Sequence, residues 1–85
     1  MKTFRYTITD EVGMHARPAG LLVKEAKRFV SDITIVLGEK QADAKKLMTV
    51  MALGAKRGCE IEVRAEGADE EEAVRAMTNF FEQNL

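Results

Sequence analysis

The sequence has little of the chemistry that cross-links a chain or binds metals. Its 85 residues include one cysteine, one histidine and one proline, and no tryptophan. The single cysteine, Cys59, cannot form an internal disulfide and is typical of a reducing compartment. Because one histidine and one distant cysteine form no recognisable ligand pattern, we expect no metal site and no cofactor.

Long apolar runs and a strong excess of charge are missing as well. No apolar stretch is long enough to span a bilayer, and we expect no signal peptide, no membrane insertion and a cytoplasmic location. The net charge of -1 provides no basic field that would favour nucleic acid. With 46% hydrophobic and 32% charged residues, the chain is expected to form a single globular domain over residues 1–85, and to be a monomer or a weak oligomer.

Apolar and polar residues alternate in three short segments, which predicts three half-buried strands. In the first segment Phe4, Tyr6 and Ile8 share one face, and in the second Ile33, Ile35 and Leu37 do so. Gly38 and Glu39 are typical of a tight turn into a further strand, which is short and polar. The predicted strands are residues 2–8, 33–37, 40–43 and 60–66.

Three segments instead repeat their apolar residues at helical spacing. The first covers residues 16–29, and its apolar stripe is extended by Val30. The second covers about 46–53 and stops at Gly54. The third opens at Asp69, where Glu72 completes a carboxylate version of a capping box, and it continues nearly to the last residue. The order β-α-β-β-α-β-α predicts an α+β fold: an open-faced β-sandwich whose four-stranded antiparallel sheet carries three helices on one face.

The segment VGMHARPAG, residues 12–20, holds the only histidine and the only proline. Proline is tolerated in the first turn of a helix, so the helix is predicted to begin near Ala16 with His15 at or just before its N-cap. Free N–H groups of Ala16 and Arg17, together with the Arg17 guanidinium, would then favour an anion beside the imidazole. These residues suit a phosphohistidine, although an ordinary surface histidine remains an equal alternative from the spacing alone.

The short second helix is apolar around most of its circumference, whereas a helix on a sheet needs only one buried face. One interpretation is a deeply buried helix. The other is that Val50 and Leu53 pack inward while Leu47, Met48 and Met51 stay partly exposed. Methionine suits a surface that must fit several partners, because its side chain is flexible and polarizable.

The runs GMHARPAG, AKKLMTVMALG and GADEEEAV resemble the histidine-containing phosphocarrier (HPr) family over essentially the whole chain. The resemblance implies an open-faced sandwich and a carrier, not an enzyme, in the bacterial phosphoenolpyruvate-dependent sugar phosphotransferase system. In that role His15 would take a phosphoryl group on Nδ1 from enzyme I and pass it to enzyme IIA proteins, with Arg17 stabilising the phosphate. The resemblance implies that Leu47, Met48 and Met51 dock both partners. Gly20, which leaves room for close approach, and Leu21, which lies off the apolar stripe, are expected to extend this docking surface, with Lys24 and Lys27 facing acidic partners or simply solvent.

One position departs from the family pattern. Many relatives have a serine, phosphorylated by a dedicated kinase in carbon catabolite repression, where this chain has Lys46. Lysine has no hydroxyl, so we expect that switch to be absent. Two other functions stay open: a carrier in a non-sugar, nitrogen-related phosphorelay, which only the partner would distinguish, and a regulatory binding module, against which the presence of His15 argues.

Overall fold

Strands and helices follow one another in the predicted order in the computed structural model, which describes residues 1–85. The strands are β1 (Lys2–Thr7), β2 (Asp32–Leu37), β3 (Lys40–Asp43) and β4 (Glu60–Glu66). The helices are α1 (Ala16–Ala26), α2 (Leu47–Ala52) and α3 (Glu70–Asn84). The predicted bounds of β3 and β4 match these at both ends, and the largest difference is at the end of α1, which was predicted three residues too late.

The strands form one antiparallel sheet in the order β1-β4-β2-β3. Strand β4 lies in the middle, so Val63 is paired with Phe4 on one side and with Ile35 on the other. Alternate residues of the central strands are buried, while Thr34 and Arg64 on the opposite face are partly exposed. The predicted open-faced, one-sided sandwich is confirmed.

The helices cover the apolar face of the sheet. Helix α3 packs on β1 and β4 through Phe81, whose ring lies 5.8 Å from that of Phe4 and 5.6 Å from that of Tyr6 between centroids. Helix α1 packs against both α3 and α2. Helices α1 and α2 therefore lie side by side over a continuous core.

The predicted end of α1 was wrong for Val30. The helix ends at Ala26, and the next two bonds, from Arg28 N–H to Glu25 O and from Phe29 N–H to Ala26 O, span three residues instead of four. This tighter turn leaves Phe29 buried but directs Val30 outward, where it is 75% exposed. The helical stripe does not continue past Phe29.

The predicted capping box at the start of α3 was also wrong. Asp69 is the N-cap, but its carboxylate makes no side-chain cap bond to α3. It accepts hydrogen bonds from the Ser31 hydroxyl and from the N–H groups of Val30 and Ser31, so it joins α3 to the end of the α1–β2 connection. The Ser31 hydroxyl contributes most to lowering the pKa of Asp69 below its usual 3.8, and desolvation opposes it.

Cys59 was interpreted as a small core residue and is only half-buried. It lies immediately before β4, and its carbonyl accepts a hydrogen bond from the Ile8 N–H at 3.0 Å. The contact extends the pairing of β1 with β4 by one step. Its backbone, more than its thiol, therefore contributes to the structure.

Candidate functional site

His15 is the exposed N-cap residue of α1, as predicted. The preceding residue, Met14, is buried at 7% exposure, and its N–H donates to the carbonyl of Ala55 at 2.9 Å. The backbone at His15 is extended, with φ -118° and ψ -174°. The chain thus emerges from the core at Met14 and presents the imidazole at the surface one residue later.

The first turn of α1 has unpaired backbone donors. The earliest bond of the helix runs from the Ala19 N–H to the His15 carbonyl at 2.9 Å. The N–H groups of Ala16 and Arg17 have no acceptor in the protein, and Pro18 has no N–H. No side chain caps this turn and no acidic residue lies in it. The arrangement is suited to an anion at the helix N-terminus.

Arg17 adds a full positive charge to this turn. Its side chain is exposed and takes part in none of the five ion pairs of the protein. An unpaired guanidinium retains all its donors for an external ligand, and its planar fork matches phosphate oxygens. The histidine, two free amides and an unengaged arginine therefore occur within three consecutive residues.

Large apolar side chains are exposed on α1 and α2. Val50 and Leu53 of the α2 region are buried, as the second interpretation of this helix predicted, while the outer side of α2 remains accessible. The exposed fractions are 44% for Leu21, 41% for Leu47, 76% for Met48 and 39% for Met51. These four residues are termed the α1–α2 patch, and the packing of α1 on α2 places their helices side by side.

The other predicted docking residues are Gly20, Lys24 and Lys27. Gly20 is half-buried, and no atom lies within 4 Å of the position that a Cβ would occupy. Lys24 and Lys27 are exposed and unpaired. The backbone is thus accessible at Gly20, and both ammonium groups are free to face an acidic surface.

Sequence reasoning missed the loop that holds His15. Asp10 accepts hydrogen bonds from the N–H groups of Val12 and Gly13, and Gly13 has a positive φ of 77°. The D-x-x-G spacing at 10–13 was a usable turn signal. Sequence reasoning also missed Val12, whose side chain is 64% exposed and lies only three residues before His15.

Comparison with known proteins identifies the family of this chain. The model of the family PTS-HPr, described as the PTS HPr component phosphorylation site, matches residues 2–83. The chain belongs to the HPr family. A curated relative, the phosphocarrier protein HPr of Mycoplasma capricolum, is 49% identical over 77 residues, which cover 91% of this chain and 86% of that protein. HPr proteins are phosphocarriers of the phosphotransferase system and are not enzymes. This chain is likewise a phosphocarrier.

Solved HPr structures share the fold closely. A mycoplasma HPr structure matches with a TM-score of 0.91 at 47% identity, covering 93% of this chain and 90% of its own. HPr from Thermoanaerobacter tengcongensis matches with a TM-score of 0.93 at 40% identity, covering 98% and 93%. Because one matching HPr structure is that of a dimer, the monomer stays a prediction. None of the three helices has the length and apolar content needed to cross a membrane.

Proposed function

We propose that His15 is the phosphoryl acceptor of this HPr, charged by enzyme I at the expense of phosphoenolpyruvate and discharged to sugar-specific enzyme IIA proteins. The observation that carries the proposal is the position of His15. Its exposed ring belongs to the N-cap of α1, next to two amides without an acceptor and an arginine without a partner. The only other side chain of comparable reactivity, Cys59, lies at the start of β4.

The transfer exchanges one nitrogen–phosphorus bond for another. The lone pair of the neutral His15 Nδ1 attacks the phosphorus carried by a histidine of enzyme I, and the electron pair of the breaking bond returns to the donor nitrogen. Each ring keeps its proton on the other nitrogen, so the step needs no separate acid or base. Transfer to enzyme IIA repeats the exchange with His15 as the leaving group.

Arg17 and the first turn of α1 stabilise the charge that arrives with the phosphoryl group. In phosphoryl transfer the negative charge is spread over the peripheral oxygens, and catalysis rests on positioning and electrostatic stabilisation. The N–H groups of Ala16 and Arg17 and the guanidinium supply donors that need no rearrangement within the protein, since none is engaged elsewhere.

The α1–α2 patch binds both partners in this proposal. Exposed apolar side chains of this size on a small protein mark an interaction surface, and two of the four are methionines, which adapt to differently shaped surfaces. Lys24 and Lys27 then face acidic residues of enzyme I and enzyme IIA and speed their association. Shared use of one surface requires each partner to leave before the next binds, as a carrier must allow.

The test is phosphorylation of the purified protein by enzyme I and phosphoenolpyruvate, followed by mass spectrometry that locates the modified residue. We expect one acid-labile phosphoryl group on His15 and its loss when an enzyme IIA is added. His15→Ala should take up none while its circular dichroism and melting temperature stay close to wild type, because the side chain is exposed. An acid-stable adduct, or labelling of another residue, would refute the assignment.

We further propose that the protein acts as a cytoplasmic monomer, which suits a carrier that shuttles between partners. Its unpaired cysteine is compatible with a reducing compartment. Light scattering coupled to size-exclusion chromatography at micromolar concentration should give the mass of one chain. A mass of two chains would contradict this and would point to a dimer of the kind known for another HPr.

A further inference from the structure

The loop that leads from β1 to His15 is closed by one side chain. Asp10 Oδ2 accepts hydrogen bonds from the N–H groups of Val12 and Gly13, each at 3.1 Å. Two backbone donors of the loop are thereby tied to a single carboxylate. Such an Asx turn restricts the backbone conformation of residues 10–13 without requiring contacts with the rest of the molecule.

Gly13 then brings this loop into direct contact with the chain between α2 and β4. Its φ of 77° is in the left-handed region, and a Cβ at this position would lie 2.6 Å from the Ala55 carbonyl oxygen and 2.8 Å from Lys56 Cα. Both are backbone atoms, so no side-chain rotation could relieve the overlap. Only glycine satisfies the conformation and the contact together.

The close approach produces an anchor one residue before the candidate acceptor. With the two backbones in contact, the Met14 N–H donates to the Ala55 carbonyl at 2.9 Å and the Met14 side chain is buried. The next residue is His15, whose side chain receives no hydrogen bond that would hold it in place. The position of the imidazole is therefore set by the backbone that precedes it.

We propose that Asp10 and Gly13 are positioning residues for phosphoryl transfer at His15, an inference that rests on the function proposed above. They hold the backbone of the N-cap so that the ring and the free amides of Ala16 and Arg17 keep one relative arrangement when a phosphorylated partner docks. Neither residue contacts the phosphoryl group in this proposal. Their effect is on rate, since a displacement of about 1 Å can slow a reaction about 100-fold.

Gly13→Ala tests the contact, and Gly38→Ala is its matched control. Gly38 has a similar positive φ of 60°, but no atom lies within 4 Å of its Cβ position. The two variants share the cost of an alanine in the left-handed region and differ in the overlap with Ala55. With each variant as substrate of enzyme I, we expect Gly13→Ala to lower kcat about 100-fold relative to Gly38→Ala. KM should hardly change, because the α1–α2 patch is intact.

Asp10→Ala and Asp10→Asn test the turn independently and keep the inference falsifiable should Gly13→Ala fail to fold. Asparagine retains a side-chain oxygen that can accept from Val12 and Gly13, whereas alanine does not. Asp10→Ala should therefore lower kcat and Asp10→Asn should restore most of it. As His15 is the only histidine, its ring signals in nitrogen-15 NMR report on its environment without enzyme I. Those signals should move in Asp10→Ala and stay in place in Asp10→Asn.

Failure of the positioning inference differs from failure of the proposed function. If the wild type takes up no phosphoryl group on His15, the function is wrong. If the wild type is phosphorylated and both Gly13→Ala and Asp10→Ala match Gly38→Ala in kcat and in the His15 ring signals, the positioning role is wrong and the function stands. A parallel loss of kcat in Asp10→Asn and Asp10→Ala would also overturn the role assigned to Asp10.

Discussion

Helices α1 and α3 begin in opposite ways, and the contrast distinguishes a helix end that the chain itself neutralises from one that it leaves open. The first turn of α3 contains Glu70, Glu71 and Glu72, whose charges complement the positive end of the helix dipole. The first turn of α1 contains no acidic residue. Neither helix receives a side-chain cap bond at its N-cap, yet only α3 has its terminal charge neutralised by the chain itself.

The α3 terminus is also occupied by contacts of its own. The Asp69 carboxylate holds the N–H groups of Val30 and Ser31, and the Glu70 carboxylate accepts the N–H of Gly67. At α1 the N–H groups of Ala16 and Arg17 have no acceptor in the protein, and the Arg17 side chain beside them is unpaired. An open helix terminus lowers stability slightly, and under the proposed function it leaves donors free for a transient phosphoryl group.

Positive and negative residues are also concentrated in different segments of the chain, although the net charge is only -1. Residues 16–28 carry four cationic residues and one acidic residue, and residues 44–58 carry four cationic residues and none that is acidic. Residues 66–72 carry only acidic charge. The cationic residues of this weakly acidic protein are thus concentrated in the α1 and α2 regions, which the total charge does not reveal.

The largest effect is expected when the first turn of α1 is made acidic, as that of α3 is. Arg17→Glu places a carboxylate in the first turn and removes the guanidinium. We expect the free energy of unfolding to rise by about 0.3–1 kcal/mol because the acid complements the dipole. Phosphoryl transfer should fall about 100-fold, as on loss of one oxyanion donor. Stopped-flow transfer assays and thermal melts measure the two quantities.

Arg17→Gln is the control for this substitution. It removes the guanidinium without adding a carboxylate, so it should slow transfer less than Arg17→Glu and leave stability nearly unchanged. If Arg17→Glu transferred at the wild-type rate, the phosphate would not be held at this terminus and the contrast between α1 and α3 would have no functional meaning.

A smaller effect is expected in the α1–α2 patch, which has no counterpart at the start of α3. Met48→Gln keeps the shape of the side chain and removes its apolar character at a site that is 76% exposed. The apparent KM for enzyme I should rise up to about tenfold, as expected when one apolar side chain is no longer favourably buried on binding. The change in kcat should be minor.

Val30→Gln is the matched control, because Val30 is 75% exposed but lies beyond the end of α1. It should leave KM unchanged. Equal effects of the two substitutions would show that general surface hydrophobicity, not the α1–α2 patch, governs docking.

A third prediction concerns the α3 terminus alone and its dependence on pH. The hydrogen bonds from Ser31 and Val30 lower the pKa of Asp69 below 3.8, so ionised Asp69 contributes stability at neutral pH. That contribution is lost as the pH falls through the lowered pKa. Asp69→Asn should therefore melt at a lower temperature than wild type at pH 7, and the difference should shrink below pH 3.8.

Glu72→Gln is the control for Asp69→Asn, since Glu72 is exposed and forms no hydrogen bond or ion pair with another side chain. Its effect on the melting temperature should be small at both pH values. A difference between wild type and Asp69→Asn that stayed constant down to pH 2 would contradict the role given to the ionised carboxylate.

The elements were predictable and some of the contacts between them were not. Periods of two and of 3.6 residues are local, so they located three strands and the helices, while the turn at Gly38 and Glu39 located β3 and Pro18 marked the start of α1. Asp69 was assigned to its own helix because its partners, Val30 and Ser31, lie almost forty positions away and are adjacent only after folding. The contact of Gly13 with Ala55 was invisible for the same reason.

The smallest effect is expected at α2, whose first turn, like that of α1, contains no acidic residue. Lys46 is its N-cap residue, with extended backbone and no side-chain cap bond, so a positive charge stands at the positive end of the helix. Lys46→Ser would remove that charge and supply a capping hydroxyl. We expect unfolding free energy to rise by about 0.5–1 kcal/mol in urea titrations.

Lys45→Ser is the control that separates position from charge, because it removes the same charge one residue earlier. The Lys45 ammonium donates to the Phe29 carbonyl at 2.7 Å and stabilises the C-terminal end of the α1 segment, so its loss should destabilise the protein. If the unfolding free energy rises in Lys46→Ser and falls in Lys45→Ser, the gain at position 46 comes from the new cap and not from the loss of a positive charge alone.

The same Lys46→Ser variant supplies the hydroxyl that an HPr kinase requires, so the kinase should label it while leaving position 46 of the wild type unmodified. Efficient labelling of the wild type at that position would contradict the expectation that lysine removes this switch.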